Sequence, residues 1–391
     1  MDSNATTPLL PEVFEAMRPF FIERFGNASS IHQPGQQARA AVDHARESVA
    51  DLLGCRASEI VFTSGGTESD NLALFGILKP GEHLIISQIE HSAVLNSAEA
   101  LRERGVEVTF LPSDKTGIVS PDALRAAIRP NTRLVSIMMA NNETGILQPV
   151  AEFADLAHQH GALFHTDAVQ AAAKVPINVH DLALDGSNIH ADLLTIAGHK
   201  MHAPQGTGAL YVRRGTHLTP LLFGGSHERQ RRAGTENLAG IVGLGNAAEI
   251  AANWLSTGGP AKLAALRDRL EAGLLASVDA SGINGSGPRV CNTTNVFFDY
   301  VEAEALVIAL DLKGLAVSGG SACQSGATEP SHVLTAMGLL TDRARASIRF
   351  SLSKLTTDAD VDFALDIVPT AIAHLRELSP LYKNRVAVAA R

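Results

Sequence analysis

The chain has 391 residues, more than one hydrophobic core usually supports, so a large domain with a smaller companion is expected. With 45% hydrophobic and 19% charged residues it is a globular sequence, which excludes wholesale disorder. A formal charge of -9 argues against a general nucleic-acid surface, no stretch reaches the roughly 20 apolar residues of a membrane span, and the start lacks a basic-then-apolar leader, so the cytoplasm is the default expectation.

In chain order, apolar residues fall at helical spacing from Ala38 to Leu53, and Glu59–Ser64 reads as a buried strand bounded by Gly65-Gly66. A helix should start there, with Thr67 and Asp70 as a capping-box-like pair, followed by a strand at His83–Ser87. The alternation continues: a strand at Val106–Leu111, a helix over Pro121–Ile128, a strand at Leu134–Met139, a helix over Val150–His160, then strands at Ala162–His165, Leu193–Ala197 and Gly208–Val212. Seven apolar strands alternating with helices predict an α/β fold with a mainly parallel, doubly wound sheet covered on both faces. Near Trp254 the texture changes: Ser256-Thr-Gly-Gly-Pro260 is turn-rich, and a charged helix over Lys262–Leu275, a strand at Asn295–Phe298, a helix over Glu302–Leu312 and a strand at Ser347–Ser351 suggest a smaller α/β domain.

Ligands of open α/β sheets bind beyond the carboxyl ends of the strands, so polar residues just after the apolar runs carry the functional signal. Gly65-Gly66-Thr67 between strand and helix either merely connects elements or holds a phosphate on backbone N–H groups. Asp167 ends its strand either as a helix cap or as a carboxylate that keeps a pyridine nitrogen protonated. Lys200 leaves the same sheet edge after Gly198-His199, either as a surface lysine or as a desolvated amine able to form a Schiff base. Three cysteines, far apart and odd in number, suggest neither disulfides nor zinc. Cys55 and Cys291 read as packed thiols, whereas Cys323 sits in Val317-Ser-Gly-Gly-Ser-Ala-Cys-Gln-Ser-Gly326, a loop of small residues suited to exposing a thiol. The close pairs His199/His202 and His158/His160 lack acidic or thiol ligands at matching intervals, so no metal site is expected.

Together these segments resemble the cysteine desulfurases of the NifS and IscS type, class-V aminotransferases of pyridoxal-phosphate fold type I. The likeness rests on Phe25-Gly-Asn-Ala-Ser-Ser30, Thr63-Ser-Gly-Gly-Thr-Glu-Ser-Asp70, Glu90-His91, Ala140-Asn-Asn-Glu-Thr-Gly145, His165-Thr-Asp-Ala-Val-Gln170, Gly198-His-Lys200, Arg232-Ala-Gly-Thr-Glu-Asn237, Gly320-Ser-Ala-Cys323 and Ser347-Ile-Arg-Phe-Ser351. The long loop around Cys323 is similar to the NifS/IscS class rather than the SufS-like class. Two departures stand out: Ala197 occupies a place where relatives often carry a hydroxyl or thiol, and no short apolar strand precedes Asp2.

The resemblance implies an aspartate-aminotransferase-like architecture, with a large cofactor-binding domain at 12–257 and a small domain made of 1–11 and 258–391. It implies pyridoxal 5'-phosphate on Lys200, with Gly66, Thr67 and His199 at the phosphate and Thr235 reaching it from a neighbouring subunit of a homodimer. Asn142, Asp167 and Gln170 contact the ring, His91 stacks on it and carries protons, and Arg349 with Asn142 binds the substrate. The implied reaction converts L-cysteine to L-alanine and leaves sulfur as a persulfide on Cys323 for an iron-sulfur scaffold or another acceptor. A selenocysteine lyase or aminotransferase on the same framework, and a non-catalytic sulfur-assembly scaffold, are the alternatives. A transaminase has no need of a thiol in such a loop. The run Arg229-Gln-Arg-Arg232 reads as part of a subunit interface rather than a nucleic-acid patch.

Overall fold

The computed structural model describes residues 1–179, 190–320, 330–380 and 382–383. Among the described residues ten strands form two sheets: β1 (Ile60–Thr63), β2 (His83–Ser87), β3 (Glu107–Leu111), β4 (Thr132–Ser136), β5 (Leu163–Asp167), β6 (Leu193–Ala197) and β7 (Gly208–Val212) in one, and β8 (Ser281–Ile283), β9 (Thr293–Phe298) and β10 (Ser347–Ser351) in the other. The seven-stranded sheet runs β1-β7-β6-β5-β4-β2-β3 and is parallel except for β7, which is antiparallel to both neighbours. The doubly wound, mainly parallel sheet expected from the apolar runs is therefore present.

Alternate side chains of these strands feed two cores, which is why their sequences are mainly apolar without alternation. Ile60, Phe62, Ile85 and Val135 join the helices Gln33–Leu53, Val150–Gln159 and Leu238–Ser256 on one face. Val61, Leu84, Ile86 and Leu134 meet the helices Gly66–Ile77 and Ser92–Glu103 on the other. Helices Gln33–Leu53 and Leu238–Ser256 approach so closely that a Cβ on Gly245 would lie 2.5 Å from the Ala45 Cα. A third core lies on the antiparallel β10-β9-β8 sheet, filled by Val296, Phe298, Ile348 and Phe350 with Leu270, Leu306 and Val368 from the helices Gly259–Ser277, Ala303–Asp311 and Asp358–Leu378.

Several boundaries differ from the sequence reading. The turn-rich stretch at Ser256–Pro260 is only a short break, because one helix ends at Ser256 and the next begins at Gly259. The expected Thr67/Asp70 cap is also absent: Gly65 caps the helix without a side-chain bond, and Asp70 is buried instead.

The first residues of the chain strap the two sheets together. Ser3 N–H donates to the Ser351 carbonyl at 2.9 Å and Asn4 N–H to Ser351 Oγ at 2.9 Å. Asn4 Nδ2 donates to Thr293 Oγ1 at 2.9 Å, while Thr7 N–H reaches the His199 carbonyl at 2.9 Å. The strap thus runs from β10 to the end of β6.

Candidate active site

A cavity of about 660 Å³ opens at the carboxyl ends of β5 and β6. This lies within the usual range of about 300–1,000 Å³ for ligand sites. Gly66, Thr67, His91, Asn142, Asp167, Gln170, His199, Lys200 and Arg349, all expected from the sequence, line it together. Thr235 does not line it and is exposed. Its segment nonetheless lies near the cavity's rim, where Arg232 Nε pairs at 2.8 Å with Glu68 Oε1 in the first turn of helix Gly66–Ile77. Cys323 lies outside the described residues.

At one end of the cavity the strand-to-helix turn is shaped by glycine. Gly65 has φ 151° and ψ −175°, a conformation that side-chain-bearing residues rarely adopt, and a Cβ on Gly66 would come within 2.9 Å of Val169 Cγ2. With no side-chain cap, the helix leaves its first amides available to an anion. Burial, then the charges of Lys200 and Lys174, pushes the nearby His199 imidazole down to about 4, so at neutral pH it offers a neutral N–H.

Lys200 Nζ donates to two strap carbonyls, Asn4 at 2.5 Å and Ala5 at 2.7 Å. Asp167 is buried and accepts the Val169 amide at 2.8 Å; burial raises its pKa, while the His91 and Lys200 charges oppose that shift. His91 caps helix Ser92–Glu103 by accepting the Ala93 amide on Nδ1 at 3.1 Å. Arg349 is almost fully buried. Its Nη1 donates to the Asn142 carbonyl at 3.0 Å and its Nη2 to Asp2 Oδ1 at 2.8 Å, while Nε has no partner. Asn142 Oδ1 is likewise buried and unpartnered, so the cavity wall carries polar atoms without a protein partner.

A polar layer behind Asp167 was not anticipated. Asp70, Glu90 and His165 are buried there, with His165 Nδ1 2.8 Å from Ser136 Oγ and its Nε2 3.1 Å from Thr195 Oγ1. Burial pushes His165 down to about 3, and burial with the Asp167 charge holds Asp70 well above the usual carboxylate range. Burial pushes Glu90 up to about 8, with Asp167 adding to the rise and bonds from Ser87 Oγ and the Met138 amide opposing it. A carboxyl whose folded pKa is raised favours the fold below its unfolded pKa, and that contribution is lost as pH rises through the folded value. Glu90→Gln is therefore expected to remove a loss of stability on the order of a few kcal/mol between about pH 4.5 and 8. Denaturant melts of both proteins across this range check it; parallel profiles would mean that Glu90 is ionised throughout.

The sequence profile of the class-V aminotransferases matches residues 1–363. A cysteine desulfurase IscS of Methanosarcina thermophila is 49% identical over 97% of this chain and 93% of its own length. The chain belongs to the cysteine desulfurases of the class-V aminotransferase family. A cysteine desulfurase of Trichormus azollae is also 49% identical, over 98% of this chain and 95% of its own. Among solved structures, a NifS-like protein superposes with a TM-score of 0.87 at 35% identity, covering 95% of this chain and 98% of that one. SspA in complex with cysteine superposes with a TM-score of 0.78 at 36% identity, over 91% and 99%.

Proposed function

We propose that the protein is a pyridoxal-phosphate-dependent desulfurase that converts L-cysteine to L-alanine and holds the removed sulfur on Cys323. The observation that carries this reading is the convergence of Lys200, Asp167 and an uncapped, glycine-cradled helix N-terminus on one cavity beside the buried Arg349.

These residues fit the cofactor: the Gly66 and Thr67 amides with neutral His199 suit a phosphate, Asp167 suits a protonated ring nitrogen, and Lys200 is the amine that would carry it. When bound, pyridoxal phosphate supplies an electron sink for the pair left at the substrate Cα. Arg349 binds the substrate carboxylate, for which its planar guanidinium is suited, and Asn142 borders the same position. Lys200 Nζ would take the Cα proton, and His91, which lines the same cavity, would carry protons to and from the reacting atoms. The Cys323 thiolate then bonds to the substrate sulfur, the Cβ–S bond breaks with its electrons passing to carbon, and protonation completes alanine. Purified protein given the cofactor and L-cysteine should release alanine and, with a thiol reductant, an equal amount of sulfide. Pyruvate, or no product at all, would sink the proposal.

The same reading divides the chain into a large domain at 12–257 and a small one of 1–11 and 258–391, and places it in the cytoplasm, supplying an iron-sulfur scaffold or another acceptor. Both rest on the family. It also makes the protein a homodimer in which Thr235 serves the partner's phosphate site. Support comes from Thr235's exposure and from large apolar side chains left in solvent at Phe21, Ile22, Phe25, Ile31 and Phe223. Sedimentation at micromolar concentration should give twice the chain mass; a fully cofactor-loaded monomer would contradict the shared site.

A further inference from the structure

Lys174 lies four residues beyond Gln170, in the turns that follow β5, and is buried, an unusual place for an ammonium group. Its Nζ donates to Gln170 Oε1 at 2.7 Å, and Gln170 Nε2 donates to the Asn4 carbonyl at 3.0 Å. Asn4 O is also an acceptor for Lys200 Nζ. One carbonyl and one amide therefore join the two lysines. The direction of this chain is fixed by chemistry: the Asn4 carbonyl can only accept, so the Gln170 N–H2 must face it, which turns the amide oxygen to Lys174, whose ammonium form can only donate.

No carboxylate approaches Lys174 within ion-pairing distance among the described residues. The groups around it are Lys200 and His199 beyond β6, Arg349 on β10 and the Cys291 thiol. A second cavity, of about 40 Å³, is lined by Lys174 and Lys200 together with His202 and Lys354, and by no acidic residue. Burial, then the Lys200 charge, pushes Lys174 down to about 7.

We propose that Lys174 positions the reactive lysine, locking the Gln170 amide as a donor toward the cavity and disfavouring a second positive charge on Lys200. Because the coupling is mutual, a proton on either amine opposes a proton on the other. The consequence is a larger share of unprotonated Lys200, the nucleophilic form. The role rests on the reading of Lys200 as the cofactor-carrying amine.

The first test uses cofactor-free protein, with carbamylation of Lys200 by cyanate followed by peptide mass spectrometry across pH. Lys174→Met should move the labelling midpoint up by roughly a few tenths of a pH unit, and Lys174→Arg, which stays charged well above pH 7 where the lysine is largely neutral, should move it down by on the order of one unit. An unchanged midpoint in Lys174→Met, or no fall in Lys174→Arg, overturns the charge role; Lys174→Gln carries the same test as the methionine variant if that one does not fold. The second test follows the visible band of the cofactor-loaded protein. Lys174→Met should shift its pH dependence more in the native background than in Gln170→Ala, where only the through-space repulsion remains, whereas equal shifts in both would overturn the link through Gln170. A colourless native protein would defeat the proposed function but leave the cyanate result readable. Colour and alanine formation with a flat cyanate profile would defeat only the role of Lys174.

Discussion

Lys200→Ala is expected to give a folded protein that stays colourless with pyridoxal phosphate and loses desulfuration by at least about 10³-fold, since under the proposed function it removes both the carrier amine and the Cα base. The geometry gives no substitute. Lys174 faces the smaller cavity, and its Nζ is committed to Gln170, which stands between it and the Asn4 carbonyl. Fold is preserved because Lys200 follows β6 in a short 3-10 turn, and its removal frees two strap carbonyls at a site water can reach. Absorbance after dialysis against excess cofactor, with an alanine assay on the same sample, reads the result. A visible band that survives dialysis, with turnover intact, would place the cofactor on another amine.

Cys323→Ala should separate the two halves of the reaction. The variant is expected to take up cofactor and to show the spectral change caused by cysteine, because Arg349, Asp167 and Lys200 are untouched. Alanine and sulfide should nevertheless fall by at least about 10³-fold. Cys323 itself lies outside the described residues, but the chain on both sides of residues 321–329 is tied to the cavity wall. On one side Ser318 and Arg349 exchange backbone bonds at 2.7 and 3.3 Å. On the other, His332 lines the cavity and its Nε2 lies 3.0 Å from the Glu90 carbonyl, while Ser331 Oγ donates to Glu143 Oε2 at 2.5 Å. The other thiols are poor candidates: burial pushes Cys55 up to about 12 and Cys291 up to about 11, and neither lines the cavity. Cys55→Ala and Cys291→Ala should keep activity. A persulfide found on either by mass spectrometry, or full turnover by Cys323→Ala, would move the nucleophile elsewhere.

The large sheet was legible because all its strands but the edge strand β3 are largely buried on both faces, so most leave a short, mainly apolar run. The three-residue strand β8, Ser281-Gly-Ile283, has one large apolar side chain and leaves no such run. Cavity residues at strand ends, such as Asp167 and Lys200, could be found from position alone, because an ionisable group following an apolar strand is conspicuous. Asn4 could not, since it acts through its backbone carbonyl, which every residue possesses. Asp70 looked like a cap because it follows Thr67 by three residues; the uncapped Gly65 turn instead rotates it into the polar layer behind Asp167. Lys174 follows three alanines and precedes Val175, a context that cannot distinguish an exposed lysine from a buried one.

The strap also orders events in time. Asp2 and Asn4 find their partners at Arg349 and Ser351, each 347 residues away. Contacts of such separation carry the entropy of closing a very long loop and cannot form until the distant partner has been synthesised. At the ribosome, β5, which ends in Asp167, and β6, which leads into Lys200, emerge well before β10, so the sheet that carries both can assemble while the strap still lacks its far anchor. Closure of the strap over the cavity therefore awaits the synthesis of β10, about 150 residues after that of Lys200.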